Sequence, residues 1–421
     1  MTAEKRLPPS AMLGQEVSKL FEGLLSNEHP LDALVKLGGQ LALQTYVEWE
    51  ATKFLMRGRY ERTEESRDGL RNGYRPKKVY TGNGELELKI PELRETKEKF
   101  ESLLGQDHKI RTETLERLAL MSYVKGLSTR DIEDLYRDGF NQPQSAINRS
   151  ELSELGQQLN KEYDQWRKRP LDHLDLVYLF IDAIYLPVRQ DSDEEEGILA
   201  AYGILRNSKR VLIHLALGNR EDYESCLDFM RNMAGRGLRS PLLVISDGAP
   251  GLIKAIKHAY PRSIRQRCQA HKMRNIMKKL TKKVKGKIKV EIHEVFYAPT
   301  FEEGMKRGQA LISRYKASYP SAMECLEADL EYCLNYLKFP SEHWKSIRTT
   351  NLMERTFEEG RRRTKVIPRF PTEKSCLKLV YATIIDASKK WRGVRMSVSA
   401  LSKLDEISTN LFGVKEDKMI S

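Results

Sequence analysis

The sequence predicts a multidomain chain of mixed α and β structure. Helical and basic regions come first, followed by a mixed five-stranded sheet with flanking helices that a long all-helical insertion interrupts. Three observations carry this. Apolar residues recur at steps of three and four through much of the first 170 residues, the period of a helix. LDLVYLFIDAIYLPVR (174–189) is almost continuously apolar, as a central strand covered on both faces would be. From 271 to about 345 the chain turns helical and basic before a further helical stretch near its end. At 421 residues there is room for roughly two to four domains, each with its own core.

Composition narrows the function classes. Hydrophobic residues make up 40% and charged residues 31%, a normal globular balance. No segment approaches the ~18 uninterrupted apolar residues of a membrane span. The opening MTAEKRLPPS lacks the apolar stretch of a secretory signal. Cys226, Cys268, Cys325, Cys333 and Cys376 are odd in number and scattered, which fits a reducing cytoplasm and not a disulfide scaffold. The net charge of +13 suits a polyanion. Without a lipid-anchor motif, nucleic acid is the expected partner and a membrane is not. The excess is clustered: 272–289 carries nine Lys or Arg and no acid, 361–369 carries five, and 389–395 carries four around Trp391. Any one run reads equally as a solvated helix face; the three together favour phosphate contacts.

Residues 1–60 read as helices, with Leu13, Val17, Leu20, Phe21 and Leu24 in one and Leu31, Leu34 and Val35 opening another after Pro30. Residues 61–110 read as a basic linker or β-ribbon. Leu86, Leu88 and Ile90 alternate after the Gly-Asn-Gly turn at 82–84, and Arg75, Lys77 and Lys78 are candidate DNA contacts. Residues 111–170 have a trihelical rhythm. Leu115, Leu118, Ala119 and Tyr123 form one helix that stops at Gly126. Ser128 with Asp131 makes a capping box opening a second, with Ile132 and Leu135 inward. Pro143 suits the first turn of a third, which Leu152, Leu155, Leu159, Tyr163 and Trp166 continue. This is the helix-turn-helix plan. On that plan Gln144, Asn148 and Arg149 approach base edges. Ser128, Thr129 and Arg130 touch phosphate at a helix N-terminus.

From 171 the pattern changes. The strand at 174–189 is followed, after an acidic turn at 191–197, by strands at 197–207 and 209–219. A helix at 221–237, a strand ending at Asp247-Gly248, and a second helix come next. The order β-β-β-α-β-α with a later helix is that of an RNase H-like core. We divide it into 171–270, a helical insertion over 271–345, and a remainder over 346–400 with C-terminal helices; 401–421 is a tail. In the insertion Lys278, Lys279, Lys282 and Lys283 are candidate phosphate contacts.

Candidate chemistry rests on acids. Asp182 lies inside the most apolar stretch of the chain, where an uncompensated carboxylate is unfavourable by several kcal/mol. Asp247 ends the fourth strand, a neighbour of the first in the proposed sheet, so the two emerge together. Paired carboxylates either raise a pKa or bind a cation, and Mg²⁺ or Mn²⁺ suits an all-carboxylate site. In TTNLMERTFEEGRRRTK (349–365), Asn351, Glu354, Glu358 and Arg361 form one helical strip beside buried Met353 and Phe357. Glu354 borders the buried face, Arg361 suits a phosphate, and a surface helix laced with ion pairs remains the alternative. Cys268 and His271 have no second ligand pair at finger spacing, so no zinc is expected.

The blocks FIDAIYLPVR, VISDGAPGLIKAI, QRCQAHKMRN and TTNLMERTFEEGRRR resemble those of Mutator-type DDE transposases. RNGYRPKKVYTGNGELELKIPELRE and GLSTRDIEDLY resemble that family's upstream blocks, so the likeness spans roughly 60–400. It implies that Asp182, Asp247 and Glu354 are the catalytic, metal-holding acids, with two Mg²⁺ or Mn²⁺ ions per site. Cys268 and His271 match the family's C-x-x-H signature. With Asn351, Arg355 and Arg361 they are expected beside the site, behind the ligands or against DNA. It further implies cleavage at the terminal inverted repeats of an insertion sequence and joining of the freed 3′-OH to target DNA. A homodimer or larger assembly would act, in the bacterial cytoplasm at the nucleoid. Gly360 departs from the family pattern, where an aliphatic residue usually precedes the Arg run, and predicts a kink after Glu359. A DNA-binding regulator without catalysis and an RNase H-like nuclease or resolvase remain as alternatives. Both fit less well with three acids, an insertion and an N-terminal basic region in one chain.

Overall fold

The computed structural model describes residues 7–23, 30–59, 61, 69–105, 110–125, 127–139, 147–187, 195–219, 221–364 and 373–413. The chain forms two compact units, Met1–Gly156 and Gln157–Ser421.

In the first unit, helices α1 (Pro9–Gly23) and α2 (Pro30–Leu55) precede a three-stranded sheet. Its strands β1 (Leu70–Thr81), β2 (Gly84–Arg94) and β3 (Ile110–Arg111) lie in the order β2-β1-β3. β1 and β2 pair antiparallel around the turn at 82–83, so the ribbon reading holds and extends back to Leu70. Leu86, Leu88 and Ile90 are all buried, and Leu88 and Ile90 pack with Val47 of α2 and Val79 of β1. β2 is an edge strand whose free backbone groups need partners. Gln44 supplies them: its amide donates to the Lys89 carbonyl at 2.9 Å and accepts from the Lys89 N–H at 2.8 Å.

Three helices follow: α3 (Glu113–Val124), α4 (Thr129–Gly139) and α5 (Arg149–Lys168), the last extending past Gly156. The capping box is formed, with Ser128 Oγ accepting from the Asp131 N–H and the Asp131 carboxylate from the Ser128 N–H. Two expected inward positions are instead exposed, Leu118 and Leu135. Leu115, Ala119, Ile132 and Tyr136 make the core with Tyr80, so the buried faces run at steps of four. α5 begins at Arg149. Asn148 and Glu151 form a second capping box that fixes its start. Pro143 and Gln144 lie outside the described residues, as do 191–194 of the acidic turn.

The second unit is built on a five-stranded sheet in the order β6-β5-β4-β7-β8. β4 (Leu176–Pro187), β5 (Glu195–Leu205) and β6 (Arg210–Leu217) form an antiparallel meander. After α6 (Tyr223–Gly235), β7 (Leu243–Ser246) pairs parallel to β4. After α7 (Pro250–Ala259), β8 (Ile264–Arg267) pairs parallel to β7. The apolar run is thus the central strand, and its alternation sorts its side chains. Leu179, Ile181 and Ala183 join the core with Cys226, Met230, Leu252 and Ile256 of α6 and α7. Tyr178, Phe180 and Asp182 share the opposite face.

That second face is closed by the chain that follows β8. Helices α8 (Gln269–Lys278), α9 (Lys282–Phe296), α10 (Phe301–Tyr315), α11 (Pro320–Glu327), α12 (Leu330–Leu334) and α13 (Trp344–Ile347) form the expected helical segment. α14 (Asn351–Thr364), α15 (Glu373–Ser388) and α16 (Val398–Phe412) complete the unit. α14 stays helical through Gly360, where a kink was expected. The insertion is tied to the core by Asp329, which faces Lys272 at 2.7 Å, Arg267 at 3.2 Å and Arg265 at 3.6 Å. Lys272 is therefore buried in an ion cluster and is not part of a solvated basic run.

His343, fully buried, stitches the insertion's end to β4. Its Nε2 must donate to the Arg395 carbonyl at 2.8 Å, so Nδ1 accepts from the Tyr178 hydroxyl at 2.6 Å. Tyr178→Phe leaves that nitrogen buried and unpaired. We expect a loss of about 1–3 kcal/mol, read as a melting point lower by roughly 2–10 °C. An unchanged melting point would show that the bond contributes nothing net.

Candidate active site

The parallel register builds the site. Ile181 pairs with Ser246, and Ser246 with Arg267, so the next residues, Asp182, Asp247 and Cys268, stand side by side across three strands. Carboxyl ends of parallel strands are a common place for function, since the chain there is free to turn into helices. β7 stops at Ser246, and the turn through Gly248 leads into α7. The Arg267 guanidinium lies so close over Gly248 that a Cβ there would run into it. Any side chain at 248 therefore displaces Arg267 or the turn holding Asp247.

Asp182 and Asp247 are both buried, and each has a backbone clamp. Asp182 Oδ1 accepts from the Ala183 N–H at 2.9 Å, and Asp247 Oδ1 from the Ala249 N–H at 3.1 Å. Asp182 Oδ2 is buried with no hydrogen-bond partner. Burial, and then the charge of Asp247, push the Asp182 carboxyl up to about 7.

β8 ends at Arg267 and α8 starts two residues later, which carries His271 into the same place. A carboxylate oxygen from each of Asp182 and Asp247 and a ring nitrogen of His271 all lie within 4.8 Å of one another. His271 Nε2 is 3.3 Å from Glu354 Oε1, which favours a proton on Nε2 and leaves Nδ1 with its lone pair. Nδ1 is buried and unpartnered. Burial, then the neighbouring Arg274 cation, hold the ring below its ordinary pKa, so the neutral, ligating form is favoured. An orphaned oxygen within a carboxylate pair and an orphaned ring nitrogen beside it fit a divalent cation. An imidazole thus stands beside the two carboxylates as a further candidate donor.

Glu354 sits in the first turn of α14, on the strip beside Met353 and Phe357, both buried as expected. Its carboxylate contacts His271 and the Arg274 guanidinium. Cys268 is buried at the start of α8 and accepts from the Thr350 N–H at 3.3 Å, joining β8 to the entry of α14; it packs and ties. Asn351 and Arg355 are exposed on α14, and the side chain of Arg361 lies outside the described residues. The residues that sequence reading missed are Arg274 and Arg267. HKMRN did carry a signal for the first, since His271 and Arg274 are three apart on one helical face. Nothing local marked the second.

The expected DNA-contact residues are mostly at the surface. Lys278, Lys279, Lys282 and Lys283 are exposed at the end of α8 and the start of α9. Arg75 is exposed and donates to the Gly105 carbonyl at 2.7 Å, Lys77 is half-buried, and Lys78 is paired with Glu85 at 2.7 Å. Arg130 is exposed at the start of α4, where Ser128 and Thr129 are half-buried. Asn148 is exposed but its side chain caps α5; Arg149 is the first residue of that helix.

A family model described as "Transposase, Mutator family" matches residues 16–393. The chain belongs to the Mutator family of transposases. Among relatives of this transposase is the transposase for insertion sequence element ISRM5 of Rhizobium meliloti (strain 1021). It is 29% identical over 369 residues, covering 87% of this chain and 90% of that one. The transposase for IS406 of Burkholderia multivorans is 32% identical over 345 residues, 81% and 87% of the two chains. The transposase for IS256 in transposon Tn4001 of Staphylococcus aureus is 28% identical over 384 residues, 90% and 94%. Among the described residues of this Mutator-family chain, no helix is long and apolar enough to cross a membrane.

Proposed function

We propose that this transposase mobilises an insertion sequence: it binds the terminal inverted repeats, cleaves there by metal-dependent hydrolysis, and joins the freed 3′-OH to target DNA. The observation that carries the reading is the juxtaposition of buried Asp182, in β4 where its parallel pairing with β7 stops, and buried Asp247, just past the end of β7, with His271 within 4.8 Å and Glu354 in contact with that ring. The sheet order, with an antiparallel meander continued by two parallel strands, supports an RNase H-like core.

Asp182, Asp247 and Glu354 are the acids we assign to Mg²⁺ or Mn²⁺, with His271 adding a neutral donor. When bound, two such ions lower the pKa of the attacking hydroxyl and stabilise the leaving oxygen of an in-line phosphoryl transfer. The protein's part is to hold its donors rigidly. Asp182 and Asp247 are fixed by strand register and backbone N–H groups, and the His271 proton on Nε2 faces Glu354. Cleavage and joining use the same donors, since only the nucleophile differs. The test is direct: labelled DNA from the flanks of the coding sequence, bearing its inverted repeats, incubated with the chain and Mg²⁺ or Mn²⁺. Nicked and joined products are expected with either ion and none in EDTA. Equal product in EDTA would exclude the reading.

DNA contacts are assigned to two places. α3, α4 and α5 support a helix-turn-helix reader, with Arg130, Asn148 and Arg149 nearest the helix starts. The exposed Lys278, Lys279, Lys282 and Lys283 add sequence-independent affinity. Replacing all four with Gln is expected to weaken binding to any duplex and to reduce the slope of log affinity against log salt by up to about 3.6 units. An unchanged slope would make this run a solvated helix face.

A further inference from the structure

α8 springs directly from the end of β8, so its first turns are fixed beside the carboxyl ends of the parallel strands. His271 and Arg274 face Glu354 from that helix. His271 Nε2 is 3.3 Å from Glu354 Oε1, and Arg274 Nη2 contacts the same oxygen. Asp182, by contrast, has no cation of the protein among its hydrogen-bond partners, and its Oδ2 is buried and unsatisfied. One acid of the proposed site is already held by a cation of the protein's own.

We propose that Arg274 is a positioning residue that occupies Glu354 in the metal-free protein and competes with the divalent cation for it. This rests on the metal-site reading above. A carboxylate oxygen turned to a guanidinium cannot present the same lone pairs to a small hard cation. Guanidinium–carboxylate contacts are charge-assisted and among the stronger polar interactions. This one is tempered by solvent, because the Arg274 side chain is 54% exposed and that of Glu354 29%. The contact therefore orients Glu354 yet is weak enough to release. Once released, Arg274 points a free cation from the edge of the site toward solvent, where a DNA phosphate would meet it.

The competition predicts a specific thermodynamic pattern in the full chain without DNA. Mn²⁺ binding is followed by the electron paramagnetic resonance signal of the free ion, with no activity measured. Arg274→Gln is expected to tighten Mn²⁺ binding about three- to tenfold. Arg274→Lys keeps the charge but loses the planar fork, and should tighten it by less. The decisive comparison is the double mutant. In a Glu354→Gln background, Arg274→Gln should change Mn²⁺ affinity by less than about twofold, because the contested ligand is gone. Equal tightening in both backgrounds would mean that Arg274 acts only through its field, and overturns the proposal. So would unchanged or weaker binding in both Arg274 variants, provided their melting curves match the parent. Asp182→Asn separates the two layers. If it abolishes Mn²⁺ binding while Arg274→Gln has no effect, the metal site stands and only the competition fails. If Asp182→Asn binds Mn²⁺ like the parent, the metal-site reading fails and takes the competition with it.

Discussion

Asp182→Asn, Asp247→Asn and Glu354→Gln should each reduce DNA cleavage and strand transfer by on the order of a thousandfold or more, while leaving affinity for the element's ends unchanged. The size follows from what each acid contributes. Asp182 and Asp247 are adjacent by strand register, and each accepts from a backbone N–H group. An amide in either place offers a neutral oxygen and an N–H that repels a cation, so occupancy falls and the remaining donors are misplaced. In-line transfer tolerates little misplacement. Glu354 reaches the site from a separate helix, and its loss also removes the acceptor facing His271 Nε2. Glu358→Gln and Glu359→Gln are the controls. Glu358 is exposed one turn further along α14, and both variants should keep most activity. Gel assays on labelled terminal-repeat DNA read cleavage and joining, and a mobility shift reads end binding. Full activity in Glu354→Gln, or loss confined to Glu358→Gln, would place the third acid elsewhere.

The placement of much of this candidate site could be read from sequence because its pieces are local and each has a physical signature. A charged residue inside LDLVYLFIDAIYLPVR is improbable without a purpose, and Asp247 closes a short strand before Gly248. Met353 and Phe357 fixed the buried side of α14, and with it the orientation of Glu354. The Ser128–Asp131 box was legible for the same reason, as its spacing encodes its bonds.

What was not legible depends on partners distant in sequence. Lys272 sits in a nine-cation run, yet Asp329, 57 residues on, draws it inward. Leu118 and Leu135 follow helical spacing but fall beyond the edge of a face defined by Tyr80. His271 stands beside Asp182 and Asp247 only because β8 ends where it does, at the last residue of a parallel pairing that periodicity does not reveal. The Asn148–Glu151 box that opens α5 has the same spacing as Ser128–Asp131, yet the sequence reading passed over it.

In EDTA above neutral pH, the Asp182→Asn protein should be more stable than its parent, even though it is inactive. The carboxyl of Asp182 is pushed up to about 7 by burial and then by Asp247, against an ordinary value of 3.8. A group whose folded pKa lies above its unfolded value stabilises the fold fully below the unfolded value, and that contribution is lost as pH rises through the folded one. The metal-free parent should therefore lose stability between about pH 4 and pH 7 from this group, because the unfolded chain releases a proton that the folded chain retains. Three units of displacement correspond to roughly 4 kcal/mol as an upper figure, and about half of that is a reasonable expectation after local relaxation. Asparagine is neutral throughout, so the difference in melting temperature should be near zero at pH 4 and reach about 4–8 °C in favour of the variant at pH 8. Asp247→Asn should show a smaller gain of the same sign, since it removes the second cause and leaves the burial. Added Mn²⁺ should reverse the order at pH 8, because only the parent gains the stabilisation that ligand binding confers on a folded state. Melting curves at pH 4, 6 and 8, with EDTA and with Mn²⁺, measure all of this in one plate. A difference between parent and Asp182→Asn that does not grow with pH would show that Asp182 is not held as a buried, repelled carboxylate, and would remove the electrostatic ground for assigning it to a cation.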